Sequence, residues 1–356
     1  MEIKILIVEE DTAAIELYTD ILTNYPSIFP EFSDNREDAL SKINSNVYDA
    51  AILDLKLDNH SETLDGNIIA REIKNNLRFP IYILSGNIEE LDEDLKQGAN
   101  ILFKINSRLV DNIFETILND IIQLKKTGIV DILNRRGKID SYLQNIFWKH
   151  LTNSMPYWIE KAKVEDTQTA LLRYTLSHLH EYLEINESGR FEDYHVPEFY
   201  IKEPIKKSKE TVFTGDIIKK FEDNSYYVVL TPACDLVVDN SRPRPKAKYI
   251  TLVRVEQVEE LLSDMPETTT REKEKKENKI RSLKHDKEYG YHFLPRYDGF
   301  YEGGIICFQN ILSVKLDDLL NPEKYSVQLS IANSFKKDII ARFSHYYSRQ
   351  GQPSII

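Results

Sequence analysis

Short apolar runs alternate with amphipathic stretches over the first 123 residues. Strand-like runs fall at 3–8, weakly at 28–32, then at 49–53, 80–84 and 100–103. Between them, helical spacing of apolar positions predicts helices over 12–24, 36–45, 65–76, 88–97 and 107–124. In the last of these, Val110, Ile113, Phe114, Ile117, Leu118 and Ile121 recur behind Ser107, which fits an N-cap. Five βα units of this length predict an α/β domain, with a parallel sheet and helices on both faces. Right-handed crossovers then bring every strand C-terminus to one edge of the sheet.

The pattern changes twice further on. Residues 124–190 read as a helical linker or bundle, with Ile129, Ile132, Leu133, Tyr142, Ile146, Phe147 and Leu151 at helical spacing. Pro156 ends or kinks this stretch, and 169–184 resumes it. Residues 191–356 read as a β-rich α+β domain, with strand-like runs at 212–218, 226–230, 249–253 and 291–315. A small barrel is compatible with them. The charge-mixed stretch 267–288 interrupts the strands as an exposed helix or insertion, and a terminal helix carries Phe335, Ile339, Ile340 and Phe343 on one face.

Composition narrows the class. A chain of 356 residues exceeds one ordinary domain, and 41% hydrophobic residues suffice for real cores. No apolar run reaches the ~18–20 residues of a membrane span. The opening strand leaves no room for a signal peptide, and two distant cysteines, Cys234 and Cys307, make no disulfide framework. A reducing cytoplasm is the expected compartment. The net charge of −12 is uneven: residues 1–123 carry 10 Lys and Arg against 24 Asp and Glu, a balance of −14, and the remainder is +2. Such an acidic first domain suits a cation site, and with no basic stripe elsewhere the charge argues against nucleic acid as a partner.

The candidate chemistry sits at the ends of the apolar runs. Glu9 and Glu10 follow Ile3–Val8, Asp54 follows Tyr48–Leu53, Ser85 follows Ile81–Leu84, and Lys104 follows Ile101–Phe103. An acid pair, a lone Asp, a hydroxyl and a lysine on one sheet edge describe a place for a phosphoryl group. Its acceptance needs a nucleophilic carboxylate, a divalent cation, and a cationic side chain and hydroxyl for the remaining oxygens.

This layout resembles the receiver domain of two-component response regulators over residues 1–123. The resemblance implies a doubly wound, flavodoxin-like sheet of order 2-1-3-4-5. It implies Asp54 as phospho-acceptor, Mg²⁺ held by Glu10 with Glu9, by Asp54 and by the backbone carbonyl of Lys56, and Ser85 and Lys104 on the phosphoryl oxygens. It implies a histidine kinase or phosphotransfer protein as donor. The sequence departs from the family in its Glu-Glu pair, in Ile105 after the lysine in place of proline, and in Ile101 at the switch aromatic's place. Asp11 is at hand to compensate for the longer Glu10. The loop from Leu57 to Asp65 is long and holds Asp58, His60 and Glu62.

Outside that domain the chemistry is sparse. Cys234 and Asp235, after Val228–Ala233, are candidates for a thiol nucleophile or ligand pair with His292, against a buried Cys and a turn Asp. His178 and His180 lie two apart and so point to different faces of a helix. Arg342 and Arg349, near Tyr346, Tyr347, Gly351 and Pro353, are candidates for an anion patch. The favoured reading is a response regulator with an unidentified output domain. It has no enzymatic signature beyond phosphorylation and dephosphorylation of the receiver, and a homodimer is compatible with it. The alternatives are a phosphate sink or adaptor, and a receiver-gated hydrolase or nuclease-like effector.

Overall fold

Five strands, β1 (Ile3–Val8), β2 (Ile28–Ser33), β3 (Ala50–Leu53), β4 (Ile81–Ser85) and β5 (Phe103–Ser107), form one parallel sheet of order β2-β1-β3-β4-β5. The computed structural model describes residues 1–57, 64–164, 166–184, 188–190, 193–202, 212–238 and 242–349. They fall into two compact units, Met1–Phe191 and Glu192–Ile356.

In the first unit the sheet is covered on both faces, as parallel sheets are. The helices are α1 (Thr12–Leu22), α2 (Arg36–Ser45), α3 (Asp65–Asn76), α4 (Glu93–Gln97) and α5 (Ile113–Lys126). The two-residue period of the strands sorts their side chains. Leu6, Val8, Ala51, Leu53, Ile81, Ile83 and Phe103 join the core containing Ile69 and Ile73 of α3. Ile3, Ile5, Ile7, Ile52, Tyr82 and Leu84 join Tyr18 of α1 and Phe114, Ile117, Leu118 and Ile121 of α5.

The fifth strand departs from the expectation. Within the run 100–103, Ile101 and Leu102 form a turn and only Phe103 is strand: the Asn100 side chain accepts from the N–H groups of Leu102 (2.8 Å) and Phe103 (3.2 Å). The strand starts at Phe103 and runs to Ser107, which is therefore its last residue and no helix cap. Lys104 is accordingly near the start of β5, level with Tyr82, and not at its C-terminal end. Ile101 lies exposed in the turn before β5.

After α5 come α6 (Ile129–Leu133), α7 (Lys138–Asn145), a π-helical turn Ile146–Leu151, α8 (Thr152–Lys161) and α9 (Gln168–Glu184). Lys125 pairs with Asp49 (2.8 Å) and Asp131 (2.5 Å), and Asn134 donates to the Tyr48 carbonyl (2.5 Å), fixing α6 to the sheet. Pro156 lies within α8. The α7–α8 rod then runs antiparallel to α9. It is held by ring contacts Tyr142–Tyr182 (5.2 Å), His150–His178 (5.2 Å) and Trp158–Tyr174 (5.7 Å).

The second unit is a seven-stranded sheet of β6 (Tyr200–Lys202), β7 (Asp216–Lys220), β8 (Ser225–Val229), β9 (Tyr249–Glu256), β10 (Tyr291–Leu294), β11 (Gly304–Lys315) and β12 (Tyr325–Ile331). Its order, β10-β11-β9-β8-β7-β12-β6, is open, and all pairs are antiparallel. Short helices α10 (Ala233–Leu236), α11 (Val258–Leu261) and α13 (Leu316–Leu319) join strands. The charge-mixed stretch is α12 (Thr270–Lys284), capped by a Thr269–Glu272 box and anchored by buried Leu283. The terminal helix α14 (Asn333–Ser348) packs Phe335, Ile339 and Phe343 on one face of the sheet.

Candidate functional site

Parallel strands end together, so the residues just past β1, β3 and β4 meet at one edge. Glu9 is the buried acid there, at 2% exposure, and Glu10 is partly exposed. Glu9 Oε1 accepts from the Asp11 N–H (3.0 Å), while the Asp11 carboxylate caps α1 at Ala13 (2.9 Å). Asp54 is placed by its own N–H donating to the Val8 carbonyl (2.9 Å), and its Oδ1 accepts from the Leu55 N–H (2.8 Å). Gly66, in the first turn of α3, packs on this backbone; a Cβ there would stand 2.3 Å from the Asp54 carbonyl oxygen.

The cation at this edge is Arg108, which the sequence reading missed. Its Nη2 donates to Glu9 Oε2 at 2.5 Å and stands 3.3 Å from Asp54 Oδ2, so one guanidinium bridges both carboxylates. The Arg108 N–H also donates to the Ser85 carbonyl (3.0 Å), and Nη2 stands 3.3 Å from the Leu84 carbonyl. Ser85 itself is buried, with the Asn87 N–H 3.4 Å from its Oγ, and the neighbouring Gly86 is exposed.

Lys104, the cation expected here, is elsewhere. Its Nζ pairs with Asp120 of α5 at 2.7 Å, and Asp120 also accepts from the Tyr82 hydroxyl at 2.6 Å. Tyr82 is three residues before Ser85, or about 10 Å along a strand. The assignment of Lys104 to the site is thus corrected: the strand begins later than its apolar run suggested, and its polar end is Ser107-Arg108. The signal that would have found Arg108 is the alternation Phe103-Lys104-Ile105-Asn106-Ser107, which continues the strand past the lysine.

Electrostatics follow from burial. Desolvation raises the Glu9 carboxyl above its ordinary value, and the Arg108 charge opposes that rise. Burial pulls Arg108 down, yet Glu9 and Asp54 hold it above its ordinary value. Tyr18, stacked on Phe114 at 4.1 Å, has its phenol pushed up to about 12 by burial. Neither its hydroxyl nor Arg108 Nε has a hydrogen-bond partner among the described residues.

The donor set fits a hard divalent cation. Two carboxylate oxygens converge on one positive nitrogen, and the Asp54 and Asp11 charges repel that of Glu9. Among the described residues no three His, Cys, Asp or Glu side chains cluster to hold a metal by themselves. Mg²⁺ characteristically uses one or two carboxylates and completes its shell with waters and phosphate oxygens. Lys56 pairs its side chain with Glu90 (2.8 Å). Asp58, His60 and Glu62 lie outside the described residues.

In the second unit the candidates do not assemble. Cys234 is exposed on α10, and Asp235 pairs with Lys246 (3.5 Å). His292 lies on β10, three strands from β8, or about 14 Å across the sheet. It is 4% exposed, near Asp286 (3.5 Å) and Asp338 (3.7 Å), and burial pushes it down to about 3. The expected Cys–His site is therefore corrected. His178 belongs to the ring ladder, and exposed His180 faces Glu184 (3.6 Å). Arg342 is a structural tie donating to the Glu288 and Tyr291 carbonyls, and Arg349 lies over Tyr346; Gly351 and Pro353 are outside the described residues.

No protein-family model matches the chain, and no curated protein matches it. Solved structures similar to its first third include a CheY-like receiver domain from Methylobacillus flagellatus. That domain is 23% identical, with 34% of this chain and 99% of that one covered and a TM-score of 0.28. A CheY-like receiver domain protein from Methanospirillum hungatei JF-1 is 20% identical over 36% and 100%, with a TM-score of 0.29. A structure of histidine kinase ThkA in complex with response regulator protein TrrA is 23% identical over 34% and 98%, with a TM-score of 0.27. Among the described residues no helix is long and apolar enough to cross a membrane.

Proposed function

We propose that the first unit is a phospho-acceptor of a two-component relay, taking a phosphoryl group on Asp54 from the phosphohistidine of a kinase or phosphotransfer protein. One observation carries this reading: Glu9 and Asp54 face a single cation, Arg108, at the sheet edge where β1, β3, β4 and β5 end.

The step is a displacement at phosphorus. An Asp54 carboxylate oxygen forms the new P–O bond as the donor P–N bond breaks, and the imidazole leaves with a proton. The Leu55 N–H, donating to Oδ1, holds the carboxylate in orientation. Arg108, already charged and close, turns from Asp54 toward the phosphoryl oxygens, keeping Glu9 as its anchor. Ser85 is the hydroxyl at the same edge. Asp54 and the Glu9–Glu10 pair, with the Lys56 carbonyl, would hold Mg²⁺, whose chemistry when bound would be to neutralise negative charge. Such a donor places the protein in the cytoplasm, where its free thiols stay reduced.

The test is intact-protein mass spectrometry after incubation with acetyl phosphate and Mg²⁺, and with a histidine kinase. A gain of one phosphoryl group, absent from Asp54→Asn and lost on chelation, is expected. No adduct from any donor, or an adduct that survives Asp54→Asn, overturns the assignment.

A further inference from the structure

Helix α9 has 17 residues and no buried one. An isolated helix of that length is marginal in water, and helices in proteins draw their stability from an apolar face that is covered. One face of α9 is accounted for: Leu171, Thr175, His178 and Tyr182 lie toward the α7–α8 rod, all partly buried. The other carries Leu172, Leu176, Leu179 and Leu183. Leu172, Leu176 and Leu183 are 59%, 52% and 65% exposed.

The four leucines are spaced by four, three and four residues, which is the a/d repeat of a coiled coil and not the pattern of a scattered surface. Single exposed apolar side chains need no explanation, but a continuous stripe marks a surface made to be covered. The stripe is also symmetric about its middle. A copy laid antiparallel sets Leu172 against Leu183 of the second copy and Leu176 against Leu179, so that each a position meets a d position.

Charge selects that direction. Arg173 flanks the N-terminal end of the stripe and Glu184 its C-terminal end, both on the same side of the helix, while Glu181 is turned away beside His178 (3.7 Å). An antiparallel copy brings Arg173 close to Glu184 of its neighbour, whereas a parallel copy sets like charges level with each other.

We propose that the protein is a homodimer, in which the leucine stripes of two α9 helices pack antiparallel and complete a four-helix arrangement from two hairpins. The contact is isologous, the same patch serving both chains. It does not depend on the chemistry at Asp54.

Light scattering on the full chain after size exclusion should give twice the monomer mass of 41.6 kDa. A variant with Leu172→Lys, Leu176→Lys and Leu183→Lys should elute as a monomer with unchanged far-ultraviolet circular dichroism, because lysine keeps helix propensity at sites already open to water. A monomeric wild type, or a dimer that survives the triple change, overturns the proposal. Direction is read separately in a Cys234→Ser background by oxidation. Leu172→Cys with Leu183→Cys should yield a cross-linked dimer, since these positions are about 16 Å apart on one helix and cannot bridge within a chain. Each single cysteine alone should not cross-link; efficient cross-linking of Leu172→Cys by itself overturns the antiparallel arrangement.

Discussion

The two sheets treat the same kind of residue in opposite ways. In the parallel sheet every strand ends on one edge, so polar residues that follow apolar runs at distant places in the sequence meet: Glu9, Asp54, Ser85 and Arg108. In the antiparallel sheet successive strands end at opposite edges, so residues of equal promise are scattered. Cys234 is exposed on the helix that follows β8, and His292 is buried on β10, three strand pairings from β8. In this chain the polar residues that follow strands come together where the strands around them are parallel. The chemistry of each residue type matters less than the direction of its strand.

The largest expected effect comes from removing the cation that joins the acids. Arg108→Met leaves the buried Glu9 carboxylate without its charged partner, at a cost of about 3 kcal/mol in chemical denaturation. The sign with pH follows from Glu9. Its carboxyl is already raised by burial, so the native state holds that proton more tightly than the unfolded chain does. Stability from this group is lost as pH rises above the ordinary carboxylate value of 4.5 toward the raised one. Without Arg108 the carboxyl climbs further, so the variant's deficit is largest near neutral pH and shrinks on acidification. A deficit that grows on acidification contradicts the pairing. Phosphorylation of the variant should slow on the order of 100-fold.

A smaller effect separates the strand end seen here from the one the apolar runs suggested. Lys104→Met removes a half-exposed partner of Asp120, which keeps its hydrogen bond from Tyr82. The expected cost is about 0.5 kcal/mol, with the phosphorylation rate unchanged. A rate loss matching that of Arg108→Met would return the lysine to the site. The smallest effect is expected in the other sheet. Cys234→Ser, at an exposed position, should shift stability by less than about 0.5 kcal/mol and leave phosphorylation-dependent behaviour intact.

Much of the first sheet was legible because β1, β3 and β4 are buried on both faces and read as continuous apolar runs, with β1 and β4 nearly as expected. The fifth strand was not. Ile101 and Leu102 supply the apolar letters of a strand but sit in a turn organised by the Asn100 side chain, and the true strand alternates more weakly. That slip carried the assignment of the cation with it. The order of the second sheet was beyond reach, since its neighbours, such as β7 with β12, are far apart in the chain and no local pattern encodes them. The leucines of α9 were hidden differently. Their spacing is plain, but only the structure shows which face the ring ladder already occupies.

Gly66 gives the acceptor its mechanical boundary. With no side chain between the first turn of α3 and the main chain of Asp54, that strand end is seated on the helix and cannot retreat toward it. Any swelling of the pocket must be taken up on the far bank, along Arg108–Asn112. There Leu109 and Val110 are exposed, and Asn112 holds a left-handed turn at φ 55°. The fold thus assigns recoil to one wall and rigidity to the other.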